Sequence, residues 1–275
     1  MKPCVFTGSA VAIVTPFCGD GVDLEAFDRL IERQIQGGTD AIVVCGTTGE
    51  AATLSEAERA SIIEFTAVYT RSRMKVIAGI GGNDTLAAAN AARRAERLGA
   101  DALLLTTPYY NKASSEGIIR HFAYVAEHSE LPLIVYNVPG RTGVSCTPEH
   151  YARLAEIPRI NGVKEASGDI SLVSRTRHLC GDALNIWSGN DDQTLPMLAL
   201  GASPRASVAL MRLSQAYALI RGRGYVLPED IAAVFRSAIA HRLMLRQDAK
   251  LRGVSADDVL GEILRETEVP YKGRR

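Results

Sequence analysis

The sequence predicts an α/β chain of the (β/α)8-barrel type, with seven clear strands, an eighth contested by its own residues, and a helical C-terminal segment. Three observations lead there. Short runs that are apolar on both faces recur every ~25–35 residues, the length of one strand plus one crossover helix. Longer amphipathic stretches with helix-start residues separate them. No GxGxxG follows the first run, which turns the prediction away from a doubly wound nucleotide-binding sheet.

The strands are expected at residues 9–15, 40–45, 75–80, 102–107, 133–137, 160–164 and 184–188. Each is short and apolar on both faces, as a strand covered on both sides must be. The helices between them announce their starts. Asp23 is the N-cap expected for 24–37. Ser55 with Glu58 forms a capping box for 55–69, and Gly99 ends 85–98. Helices are also expected at 114–128 and at 147–154, the latter with Pro148 in its first turn.

Near residue 200 the chain changes character. Residues 201–275 carry 13 basic against 8 acidic side chains, leaving 18 against 23 in the first 200. An eighth strand is due at 204–209, where Pro204, Arg205 and Ser207 are poor fillers of a barrel interior. Ser203 as N-cap and Pro204 at the first helical position favour a helix instead. The helix is the expectation, and it leaves the first and seventh strands with exposed edges. Further helices are expected at 207–221, 228–247 and 256–267. The chain therefore divides into a barrel, 1–200, expected to be catalytic, and a helical tail, 201–275.

Composition removes several function classes. The 275 residues are 47% hydrophobic and 23% charged, with 31 basic and 31 acidic side chains. This balance excludes a nucleic-acid coat and a polybasic membrane anchor. No apolar run approaches the ~18 residues of a membrane span, and residues 1–17 lack the shape of a signal peptide. Five scattered cysteines without CxxC fit reduced thiols and a cytoplasmic location. Five dispersed histidines without HExxH give no metal site, no cofactor is expected, and no GxSxG serine is present.

The chemistry of a parallel barrel sits at the C-terminal ends of its strands. There the sequence places Gly46-Thr47-Thr48-Gly49-Glu50, Thr107-Pro108-Tyr109-Tyr110-Asn111, the run from Tyr136 to Gly143, Lys164-Glu165, and Ser188-Gly189-Asn190-Asp191. Lys164 is the focus. A desolvated amine can lose its proton and attack a carbonyl to form a Schiff base. The bland alternative is a lysine that snorkels past the strand end or pairs with Glu165. The loop of Thr47 and Thr48 can present hydroxyls and N–H groups to a carboxylate, or simply cap the next helix. Tyr136 and Tyr110 can carry protons, or pack as core tyrosines with one satisfied hydroxyl. Arg141 can hold a carboxylate bidentately, or form a surface ion pair worth little.

With GTTGE, TPYYNK, YNVPGRTG, GVKEASG and SGND in order and at the expected spacing, residues 1–200 resemble the dihydrodipicolinate synthase family over their whole length. The resemblance implies a class I aldolase-type lyase that condenses pyruvate with aspartate 4-semialdehyde in the diaminopimelate route of lysine biosynthesis. It assigns Lys164 as the Schiff-base lysine and Tyr136 as the central proton carrier. Thr47 relays the proton to Tyr110, which in the family comes from a neighbouring subunit. Thr48 holds the pyruvate carboxylate, Arg141 receives the carboxylate of the semialdehyde, and Gly189 lies with the substrate-binding residues. A homo-oligomer, tetramer or dimer, is implied, with small-molecule substrates and no nucleic acid or membrane partner.

From Gly201 onward the chain instead resembles the lid of MoxR-type AAA+ ATPases. The run from Arg221 to Asp230 (RGRGYVLPED), Gly201 to Ser207 and Ala240-His241-Arg242-Leu243 carry that resemblance. No GxxxxGK[ST] accompanies it, and a lid without a P-loop does not hydrolyse ATP by itself. The functional alternatives are another pyruvate-dependent aldolase of the same superfamily, an inactive chimera, or an interaction module whose tail docks an ATPase.

Overall fold

The computed structural model describes residues 2–19, 21–71, 73–198, 214–239 and 255–266. The chain forms two compact units, Met1–Asn190 and Asp191–Arg275. The division expected at 200/201 falls among residues 199–213, outside the description.

In the first unit seven strands form one parallel sheet in strict chain order. They are β1 (Ala10–Ala12), β4 (Ala41–Val44), β5 (Lys75–Gly79), β6 (Ala102–Thr106), β7 (Leu133–Asn137), β8 (Ile160–Glu165) and β9 (Asn185–Ser188). Parallel crossovers are right-handed, so advancing always in one direction puts every helix on the same face. A sheet covered on one face this way curls around the other, which is the barrel type expected from the sequence. A two-stranded hairpin, β2 (Phe17–Cys18) with β3 (Gly21–Val22), follows β1 and had no signal in the periodicity.

Local chemistry starts each helix. Asp23 accepts from the Ala26 N–H at the head of α1 (Leu24–Gln36). The Ser55/Glu58 capping box closes α2 (Glu56–Thr70). Asp84 caps α3 (Thr85–Arg97), and Ser114 caps α4 (Ser115–Ala126). The turn after β7 winds into the short α5 (Pro139–Thr142). In α6 (Pro148–Ala155) the box is closed by His150, whose ring accepts from the Thr147 N–H at 3.0 Å. α7 (Ile170–Cys180) is not among the helices expected from the sequence, although Asp169 caps it by accepting from the Ser171 N–H.

The period of two along each strand sorts side chains into two cores. Ile42, Val44, Val76, Leu103, Leu105, Leu133, Val135 and Val163 face outward and pack beneath the helices with Phe27 and Phe122. Ala41, Val43, Ile77, Ala102, Leu104, Ile134 and Tyr136 face inward. Phe27 and Phe122 are fully buried, each worth about 1.5–3 kcal/mol on transfer from water.

Residues ahead of β1 draw the two ends of the sheet together. The Phe6 ring stacks on Trp187 of β9 with centroids 5.1 Å apart, and Trp187 Nε1 donates to the Phe6 carbonyl. Asn161 Nδ2 donates to the Pro3 carbonyl at 2.8 Å. Lys2 Nζ donates to the carbonyls of Ala155, Ile157 and Ile160.

The second unit opens with a helix, Asp191–Leu198, and residues 214–220 are helical. Helix Pro228–Ile239 carries Glu229 and Asp230 in its first turn. Arg223 forks onto both oxygens of Asp230, holding that carboxyl down at about 2, and Leu227 N–H donates to it as well. A last helix spans Ala256–Glu266. The contested residues 205–210 lie outside the described residues, as do parts of the helices expected at 207–221 and 228–247. Among the described residues no helix is long and apolar enough to cross a membrane.

Gly162 has no room for a side chain. A Cβ there would overlap the Asn185 carbonyl oxygen and lie 2.5 Å from the Trp187 ring. The variant Gly162→Ala is expected to lose about 1–3 kcal/mol of stability, the cost of overpacking. Urea unfolding checks this, and an unchanged midpoint would refute the tight approach of β8 and β9.

Candidate active site

Tyr136 and Lys164 are register partners across β7 and β8, and both face the interior of the sheet. The Lys164 ammonium nitrogen lies 4.6 Å from the centroid of the Tyr136 ring. Trp187 of β9 is the register partner of Lys164 on its other side. Lys164 is half-buried, and Tyr136 is only 7% exposed. Gly189 clears space for the lysine shaft. A Cβ there would lie 2.7 Å from Ala166 Cβ and 3.3 Å from Lys164 Cε.

The Gly46–Glu50 loop is held against the ends of its neighbouring strands. Cys45 and Glu50 take positive φ of 53° and 54°, so the loop begins and ends on left-handed residues. Thr15 Oγ1 donates to the Gly49 carbonyl at 2.8 Å, and Gly49 itself sits too close to Ile13 and Thr15 to carry a side chain comfortably. Thr47 and Thr48 are left exposed on the loop. The Thr47 hydroxyl lies near the Tyr136 phenol. Burial pushes the Tyr136 phenol above its ordinary range, while Thr47 and the charge of Arg141 act in the opposite sense. Arg141 is exposed on α5, whose end is fixed by Thr142 Oγ1 donating to the Val144 carbonyl.

Lys164, Tyr136, Thr47, Gly189 and the charge of Arg141 thus converge on one end of the sheet. Thr48 shares the loop of Thr47. Tyr110 does not join them within the chain. It stands 89% exposed on a left-handed backbone with φ of 70°, a costly way to present a tyrosine to solvent.

Glu165 points away from Lys164, to the outer face. Its carboxylate accepts from Asn137 Nδ2 at 2.9 and 3.1 Å, from Tyr151 Oη at 2.7 Å and from the Ser167 N–H at 2.8 Å. Asn137 Oδ1 in turn accepts from the Cys146 N–H at 3.0 Å. Desolvation raises the Tyr151 phenol, and the Glu165 charge adds to it. Glu165 is thus not the partner of Lys164 that their adjacency suggests, and Asn137 and Tyr151 hold it instead. The available signal was the period of two, which sends consecutive strand residues to opposite faces. Among the described residues no cluster of His, Cys, Asp and Glu could hold a metal ion.

Comparisons with known proteins match the chain to two families. The family model described as Dihydrodipicolinate synthetase family matches residues 5–220, and one described as AAA lid domain matches residues 193–263. The 4-hydroxy-tetrahydrodipicolinate synthase of Thermodesulfovibrio yellowstonii is 47% identical over 233 residues, covering 85% of this chain and 75% of that protein. The crystal structure of dihydrodipicolinate synthase from Aquifex aeolicus superposes with a TM-score of 0.70 at 33% identity, covering 98% of this chain and 100% of that one. The chloride-inhibited enzyme from Acinetobacter baumannii, solved with pyruvate, gives 0.69 at 39% identity, covering 84% and 81%.

Burial also sorts the thiols. Cys4 and Cys18 are exposed, whereas Cys45, Cys146 and Cys180 are buried. Burial pushes Cys45, at the start of the Gly46–Glu50 loop, and Cys146, beside Asn137, up to about 12. At neutral pH a maleimide is expected to modify two thiols quickly and three only after denaturation. Rapid labelling of Cys45 or Cys146 in the mass spectrum would contradict the packing around the site.

Proposed function

The chain belongs to the dihydrodipicolinate synthetase family, and from that premise we propose that it condenses pyruvate with aspartate 4-semialdehyde through a Schiff base on Lys164. It is a class I aldolase-type lyase, like the relatives it matches. The observation that carries the residue roles is the register pair Tyr136 and Lys164 on the inner face, with the nitrogen 4.6 Å from the ring.

The neutral amine of Lys164 attacks the ketone carbon of pyruvate, and loss of water gives the imine. Removal of a methyl proton then makes that carbon nucleophilic, and it adds to the aldehyde carbon of the semialdehyde. Both steps move protons beside the nitrogen. Tyr136 is placed for this, because its phenol stays protonated at working pH and lies near the Thr47 hydroxyl. Thr48 and the N–H groups of its loop receive the pyruvate carboxylate. Arg141, exposed at the rim, receives the carboxylate of the semialdehyde by bidentate pairing. That arginine favours the semialdehyde over a sugar acid, whose hydroxylated chain would need other partners there. Tyr110 completes the relay from Thr47 in a second copy of the chain, which accounts for an exposed tyrosine held on a strained backbone. The active form is accordingly a homo-oligomer, a dimer or a tetramer. The second unit, through the run from Arg221 to Asp230, is of the MoxR-type lid.

Treatment with pyruvate and borohydride, read by mass spectrometry, is expected to place an adduct on Lys164 and to lose it in Lys164→Ala. An adduct on another lysine would overturn the assignment. Arg141→Ala is expected to keep the adduct and slow condensation. Tyr136→Phe is expected to lower turnover by about 10²–10³, and an unchanged rate would make Tyr136 a packing residue only.

The lid-like unit comes without a phosphate cradle in the sequence. Calorimetry with ATP is expected to show no micromolar binding to the full chain, and such binding would refute this.

A further inference from the structure

Behind the lysine and tyrosine lies a second register pair that the proposed reaction does not use. Asn137 follows Tyr136 at the end of β7, Glu165 follows Lys164 at the end of β8, and the two are register partners. Asn137 is fully buried and Glu165 is 2% exposed. Among the described residues, the hydrogen bonds of the carboxylate come from the Asn137 amide, the Tyr151 hydroxyl and the Ser167 N–H. A carboxylate with four acceptor sites matches that set, and an apolar or neutral group in its place would strand those donors. The Asn137 amide cannot simply flip to compensate, because its Oδ1 is engaged by the Cys146 N–H. Tyr151 reaches in from α6, so the helix is tied to both strand ends through one carboxylate.

We propose that Glu165, held by Asn137 and Tyr151, is a positioning residue that fixes the ends of β7 and β8 so that Lys164 and Tyr136 keep their mutual geometry. This rests on the function proposed above. The alternation of the strands makes the coupling direct. Each side chain that is to react is one peptide from a side chain locked on the opposite face. The loop assigned to the pyruvate carboxylate is carried by β4 and not by β7 or β8, so loosening the lock leaves that carboxylate contact in place and acts mainly on turnover. Loss of positioning of this kind costs from severalfold to about a hundredfold in rate.

The test uses the full-length protein and steady-state kinetics with both substrates. Tyr151→Phe removes one hydrogen bond and keeps the ring. It is expected to lower kcat about three- to tenfold with KM for pyruvate within about twofold. Glu165→Gln keeps the shape but turns a donor toward donors, and is expected to lower kcat about ten- to a hundredfold. Because Tyr151 acts through Glu165, the double variant is expected to fall no further than Glu165→Gln alone. Leu154→Val, a buried change in the same helix that leaves the carboxylate untouched, separates positioning from general loosening. An unchanged kcat in Tyr151→Phe, or an equal loss in Leu154→Val at the same thermal midpoint, overturns the proposal. So do multiplicative effects in the double variant. Should Glu165→Gln not fold, Tyr151→Phe and Leu154→Val decide alone. Borohydride trapping on the wild type distinguishes the two levels: no Lys164 adduct there removes the functional reading and this proposal together, whereas an adduct with kinetically silent variants removes only the proposal.

Discussion

The hydrogen-bonded pairing of β7 with β8 is the constraint on which the rest of the site depends. It puts Tyr136 opposite Lys164 and Asn137 opposite Glu165, and the pleat then sends the two pairs to opposite faces. One face gains an amine and a phenol, and the other gains a carboxylate with four donor contacts. A slip of one residue would exchange the faces and bury the lysine under the helices. Register is therefore a functional quantity here, and the buried polar cluster makes the wrong register expensive by stranding its donors. Gly189 belongs to the same constraint, since it clears space beside Lys164 that a methyl group would fill, and Gly162 does the same for the approach of β9.

Much of this was legible in the sequence because strands and caps are local. The apolar runs located all seven strands, and Asp23, Ser55, Glu58 and Pro148 marked helix starts that the structure contains. What the sequence hid was non-local or lacked periodicity. The hairpin at Phe17–Cys18 and Gly21–Val22 is too short to show an alternation. The cap made by His150 uses a ring nitrogen in place of the usual carboxylate, so the motif did not announce itself. Tyr151 could not be tied to Glu165 without knowing that α6 lies over the ends of β7 and β8. The pairing of Lys164 with Glu165, natural for neighbours in a sequence, is disfavoured within a strand by geometry alone.

The site also shows where backbone strain is concentrated. Of the non-glycine residues with positive φ among those described, Cys45 and Glu50 bracket the threonine loop, while Tyr110 and Lys112 lie in the tyrosine loop. Such conformations cost energy and persist only where surrounding contacts enforce them. For the threonine loop those contacts are visible, with Thr15 bonded to Gly49 and the loop wedged beside Gly79. At Tyr110 the turn is closed by the Asn111 N–H donating to the Tyr109 carbonyl at 2.8 Å, while the ring itself stays exposed. The same kind of strain thus accompanies a packed loop in one case and in the other an exposed ring open to an outside contact. A second copy of the chain supplies it in the function proposed here.

The ends of the sheet raise a different question of energetics. An open parallel sheet exposes the backbone groups of its first and last strands and the apolar side chains of its inner face. In the first unit the segment ahead of β1 answers part of this. Phe6 covers Trp187 with a stacked ring, Pro3 takes a hydrogen bond from Asn161, and Lys2 neutralises three carbonyls at the N-terminal end of β8 and the turn before it. Residues 2–6 therefore bind to β8 and β9 although they precede β1, and this fastens the curl from within the first unit. It follows that the Tyr136–Lys164 geometry, set by β7, β8 and β9, is supported from within residues 1–190.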